Sequence, residues 1–118
     1  MMQPKVLGSL SPNKIPVACR PDYTISYERG CECLFVHVDV LRWSHRVCRQ
    51  FQQDTQALQD LLGEPVYALE ELGKPLQLKF LRQSGFIPCG TVTEARTASP
   101  IGVYCRPYVG KPILLFNV

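Results

Sequence analysis

"FVHVDVLRWSHRV", residues 35–47, changes its period halfway along. Up to Val40 the apolar side chains alternate, as on a strand whose successive residues face opposite sides. Leu34, Val36, Val38 and Val40 then share one face, and Cys33, Phe35, His37 and Asp39 share the other. Both faces are partly apolar, which predicts a central strand covered on two sides. From Ser44 the spacing becomes helical: Val47, Phe51, Leu58, Leu61 and Leu62 recur on one side of a helix over residues 44–62. Ser44 is placed to cap this helix and Gly63 to end it. The loop between strand and helix carries Arg42, Trp43 and His45. A loop that opens a helix after a strand is a common anion site, because backbone N–H groups and the helix dipole point out of it. Such loops usually need glycine for close approach, and this one has none.

Upstream, "YTISYE" (23–28) alternates and is rich in β-formers. With Arg29-Gly30 as its turn it predicts an antiparallel hairpin with "CECLFVHVDV" (31–40). Residues 1–21 hold four prolines and read as an extended N-terminal arm with at most one short edge strand. Downstream, "PVYALE" (65–70) predicts a short buried strand, and Lys74-Pro75 opens a second helix that turns Leu76, Phe80 and Leu81 inward and stops at Gly85. "FIPCGTVTEAR" (86–96) is a strand interrupted at Pro88 and Gly90, and "IGVYCRPY" and "KPILLFNV" supply the last β segments. The order is β-β-α-β-α-β-β, without repeats. It predicts an α/β (α+β) chain with a mixed, mostly antiparallel sheet and two packed helices, forming a single domain over residues 22–118.

The 118 residues suit one compact domain, and 46% hydrophobic with 19% charged residues is an ordinary globular composition. A net charge of +3 is too mild to imply strong nonspecific nucleic-acid binding from the total alone. No apolar run approaches the roughly 18 residues of a membrane span, so no membrane role is expected. "MMQPKVLGSLSPNKIP" lacks the apolar centre of a secretion signal, so a cytoplasmic or virion location is expected and secretion is not. Six cysteines then read as reduced thiols. Cys31 and Cys33 form a C-x-C on one strand face, without the paired C-x2-C units or spaced histidines of a zinc site, so no metal is expected.

The order of elements, with "FVHVDVLRWSHRV" in the middle and "FLRQSGF" (80–86) later, resembles the GNAT acyltransferases. In that family a central strand runs into a loop of the form [Q/R]-x-x-G-x-[G/A], whose N–H groups hold the pyrophosphate of acetyl-CoA. A later helix ends in Y-x-x-x-G-F, and its tyrosine commonly protonates the departing thiolate. The resemblance covers residues 22–118 and implies a truncated GNAT-like fold, since the family's first strand and two helices have no room ahead of it. It implies that Arg42, Ser44, His45, Arg46 and Val47 form the acetyl-CoA loop. Here Arg42 matches the leading position, but His45 and Val47 replace the small residues, and Phe80 stands for the tyrosine. A degenerate cofactor site is therefore expected. Small GNAT-like proteins occur in tailed bacteriophages, some virion-associated, and the resemblance implies a non-catalytic structural or interaction role with other virion proteins as partners. The alternative it implies is an acetyl-CoA-dependent N-acetyltransferase with an atypical loop.

Arg42, His45, Arg46 and Arg49 fall at helical spacings on one side of the helix's first turns. Cations there oppose the helix dipole, and with Trp43 beside them they suggest a face for an acidic protein surface. The same stripe could take a phosphate or a nucleic-acid backbone, or simply be solvated. Asp39, near the carboxyl end of the central strand, is the candidate general base if there is catalysis, and Tyr104 or Tyr108 the candidate replacement for the missing phenol.

Overall fold

A computed structural model describes residues 14–30, 32–71 and 73–116. In chain order these form β1 (Ile15–Cys19), β2 (Tyr23–Gly30), β3 (Cys33–Val40), α1 (His45–Leu62), β4 (Val66–Leu69), α2 (Pro75–Gln83), β5 (Ile87–Thr93) and β6 (Pro100–Arg106). The strands make one six-stranded sheet in the order β1-β2-β3-β4-β6-β5. Every neighbouring pair is antiparallel except β3 and β4, which run parallel and are joined by α1. The mixed, mostly antiparallel sheet with two helices is the predicted fold class. β1 is the edge strand admitted for the proline-rich N-terminal segment, and residues 1–13 lie outside the described ones.

β3 pairs with β4 in parallel at Phe35 and Tyr67 and continues beyond that pair to Val40. A cleft opens at the carboxyl end of β3, against the start of α2.

Both helices cover the same face of the sheet. Val47, Phe51 and Leu58 of α1 and Phe80 and Leu81 of α2 pack with Tyr23, Ile25, Leu34, Val36, Val38, Val66 and Ala68. Phe51 is the hub, with ring centroids 5.7 Å from Tyr23 and 5.0 Å from Phe80. The opposite face carries Cys33, Phe35, Tyr67, Leu69, Cys89, Val103 and Cys105, packed by Ile113 and Phe116 of the C-terminal segment. Ser44, in extended backbone, accepts from the Val47 N–H at 3.1 Å, and Gly63 closes α1 in the left-handed region with φ 71°. Each of these satisfies a helix-end group that would otherwise need water, and the cap is worth about 1 kcal/mol.

Several expectations need correction. Arg29 and Gly30 are not the hairpin turn: they still pair with Leu34 and Cys33, and the turn lies further on, with Glu32 at φ 61°. Arg29 instead forms a salt bridge with Glu64, which holds it in the ladder. Cys31, half of the C-x-C, lies outside the described residues. Leu61 and Leu76 are exposed, at 79% and 42%. The buried side of α1 turns toward Cys48, Thr55 and Gln59, which leaves Leu61 outside it, and the inward place expected for Leu76 is taken by Gln77. Gln77 is buried because its amide donates to the Leu69 carbonyl at 3.0 Å and accepts from the Glu71 N–H. "KPILLFNV" is not a strand over its described part: only Phe116 bridges to the sheet, at Gly90. β5 runs through Pro88 and Gly90, with its register shifting between them instead of breaking.

Candidate functional site

The loop after β3 is tied down by its own backbone. The Leu41 and Arg42 N–H groups both donate to the Asp22 carbonyl, at 2.8 and 3.1 Å. Ser44 takes the Val47 N–H on its Oγ and the Cys48 N–H on its carbonyl. His45 and Arg46, the first two helical residues, keep N–H groups that no helical carbonyl can reach. Val47 itself points into the core, so its side chain does not crowd the loop as the sequence suggested. His45 is exposed, and its ring meets Trp43 edge-on at 4.9 Å.

Trp43 is half-buried against the main core, and Lys79 Nζ of α2 sits 3.8 Å from its ring centroid. The ammonium over the indole face is a cation–π contact worth about 1 kcal/mol. Its Nε1 is buried without a hydrogen-bond partner. The arginines behave differently. Arg42 is 83% exposed and only 3.9 Å from Asp22 Oδ1, a loose pair. Arg46 and Arg49 are exposed, and among the described residues no carboxylate pairs with either.

The cleft between the end of β3 and the start of α2 has a volume of about 610 Å³ and is lined chiefly by Val38, Val40, Leu41, Pro75 and Leu76. Asp39 stands at its mouth, 72% exposed, with Lys74 Nζ 3.6 Å from its carboxylate and also 2.9 Å from Glu71. Those contacts raise the Lys74 pKa, first through the hydrogen bond to Glu71. Sequence reasoning missed Lys74 as a cleft residue. Its only local signal was the proline that follows it.

The proposed phenols are elsewhere. Tyr104 is buried in the main core. Tyr108 donates to Asp60 at 3.1 Å, near the far end of α1, and that bond raises its pKa. At 1.5 Å per residue that is roughly 20 Å from the loop. Phe80 is fully buried against Phe51 and Tyr23. Counting back from Gly85, the Y-x-x-x-G-F spacing falls on Leu81 and not on Phe80; it too is fully buried and has no hydroxyl.

A second ionisable group lies on β3 itself. His37 Nε2 is 2.8 Å from Glu28 Oε1, with side-chain exposures of 10% and 4%. Burial, then the charge of Lys14, outweighs the pull of Glu28 and holds the His37 pKa below its ordinary value. Among the described residues no three His, Cys, Asp or Glu gather as a metal site, and no helix is long and apolar enough to cross a membrane.

A side chain at His45 occupies the position that the resemblance gives to glycine, and the N–H groups of Leu41, Arg42, Val47 and Cys48 are already bonded. No protein-family profile and no curated protein matches the sequence. Among solved structures the chain is similar to the ribosomal-protein-S5-alanine acetyltransferase of Vibrio fischeri, with a TM-score of 0.58 and 12% identity. The match covers 75% of this chain and 55% of that one, so the chain spans little more than half of that protein's length. At that identity the likeness concerns the backbone alone. With the strand order, the parallel β3–α1–β4 crossover and the cleft beside it, it establishes a GNAT-like fold for this chain.

Proposed function

We propose that this protein is a non-catalytic binding protein on an acyltransferase-like scaffold, which docks an acidic partner through Arg42, Arg46 and Arg49. The observation that carries this reading is the state of the loop. The N–H groups of Leu41, Arg42, Val47 and Cys48 are engaged internally, and the His45 side chain, edge-on to Trp43 under Lys79, stands at the position that the resemblance gives to glycine. The arginines beside it are exposed and almost without counter-charges. Trp43 is held too firmly to serve as the exposed partner anchor that the sequence suggested, so charge is left as the basis of recognition.

The test is calorimetric titration of acetyl-CoA into the purified protein. Absent or weaker-than-millimolar binding, under about 4 kcal/mol of affinity, is expected. One-to-one binding in the micromolar range would overturn the reading in favour of an N-acetyltransferase. The cleft of about 610 Å³, with Asp39 and Lys74 at its mouth, is the observation that favours that second reading.

A further inference from the structure

The loop arginines belong to a larger surface. α1 and α2 lie side by side: Gln52 donates to the Gln83 carbonyl at 2.8 Å, Cys48 Sγ is 3.4 Å from Ser84 Oγ, and Lys79 covers Trp43. Helical spacing puts Arg46 and Arg49 on the side of α1 away from Val47, Phe51 and Leu58. It puts Lys79 and Arg82 on the side of α2 away from Gln77, Phe80 and Leu81. All four are exposed, and the exposed amides of Gln53 and Gln83 stand among them. The sequence has no Asp or Glu from residue 40 to 53 or from 72 to 93. Asp22, loosely placed beside Arg42, is the nearby carboxylate that an ion pair identifies.

The charge is therefore strongly uneven. Arg42, Arg46, Arg49, Lys79 and Arg82 are on this face, and the remaining eight Lys and Arg stand against ten Asp and Glu. The rest of the chain is net negative although the whole carries +3. A protein partner would ordinarily need an apolar centre on such a face, ringed by the charges. The apolar surface here is small: Trp43 is half-buried under Lys79, Pro75 and Leu78 line a depression of about 280 Å³ beside Lys79 and Arg82, and the exposed groups among the cations include the amides of Gln53 and Gln83. A phosphodiester backbone asks for what is present, namely guanidinium forks for phosphate oxygens and amide donors between them. With Lys79 over its ring, Trp43 is also not open for an unpaired base to stack on.

Resting on the proposed role of the arginine face, we infer that its acidic partner is the backbone of a double-stranded nucleic acid, bound without base readout across α1 and α2. Lys79 and Arg82 are then binding residues equal in kind to Arg46 and Arg49. The test is fluorescence anisotropy of a labelled random-sequence DNA duplex at increasing salt, with poly-glutamate as a second probe. With four or five phosphates contacted, the logarithm of affinity should fall against the logarithm of salt with a slope of roughly −4. Unrelated duplex sequences should bind alike. Arg82→Gln, remote from the loop, should weaken binding about threefold or more and make the slope less steep by about 1. Arg46→Gln with Arg49→Gln should do so more strongly, with an unchanged melting temperature. A duplex that fails to bind even at low salt, while poly-glutamate binds, overturns the nucleic-acid partner and leaves the acidic-partner reading standing. Failure of both probes overturns both. The slope on the unmodified protein decides the matter even if a variant does not fold.

Discussion

A Cβ on Gly90 would stand 1.8 Å from the Phe116 carbonyl oxygen, and the residue's φ of 127° is one that side chains rarely adopt. Here the backbone of the C-terminal segment passes directly over β5, donating from the Phe116 N–H to the Cys89 carbonyl at 2.8 Å. Gly90→Ala should therefore release that segment and cost at least ~2 kcal/mol, read as a lower melting temperature. An unchanged melting temperature would show that the segment contributes little. His37 gives a residue-scale prediction with a sign. Its pKa is lowered in the folded state, chiefly by burial, so the native protein keeps it neutral where the unfolded chain protonates. The stabilisation is present above the unfolded value of about 6.5 and is lost as pH falls below it. Melting temperature should decline between neutral and mildly acid pH, and His37→Gln should flatten that decline. A profile identical in both proteins would remove His37 from the account.

At the scale of elements, the change of period at Val40 and the cap at Ser44 made β3, the loop and α1 legible, because both are local signals. Ser44→Ala should lower stability by about 1 kcal/mol, since the Val47 N–H loses its acceptor, and urea denaturation would measure it. The hairpin turn was misplaced because Arg29-Gly30 has turn composition, yet the turn falls further along and Arg29 pairs with Glu64, distant in sequence. Leu61 was misassigned because Thr55 and Gln59, which belong to the buried side of α1, do not register in an apolar spacing. The candidate site was legible as a cationic loop and no further. That Trp43 lies under Lys79 depends on α2 meeting the start of α1, and the cleft depends on the start of α2 meeting the end of β3. Neither leaves a periodic trace in sequence. Tyr104 and Tyr108 were nominated from chemistry alone, and tertiary placement sent one into the core and the other to Asp60.

For the whole molecule, the two faces of the sheet are closed by unequal means. One is covered by two helices locked through Phe51, the other, among the described residues, by the segment ending at Phe116. That segment is attached by the Phe116 and Leu114 N–H groups, to the Cys89 carbonyl and the Tyr67 hydroxyl. Few bonds and little helical cover define a part that can open before the rest unfolds. Cysteines report on both sides. Cys19 is an exposed free thiol, Cys48 is a buried one on the helix side, and Cys89 and Cys105 are buried ones under the C-terminal segment. Burial raises the Cys89 pKa and pushes that of Cys105 up to about 12, so neither offers a thiolate until it meets water. Timed alkylation of the native protein, read peptide by peptide by mass spectrometry, should label Cys19 first, Cys89 and Cys105 next, and Cys48 last. Gly90→Ala should speed Cys89 and Cys105 well beyond any change at Cys48, because it loosens only their cover. If Cys48 keeps pace with them in both proteins, the second face does not open on its own, and the molecule unfolds as one cooperative unit.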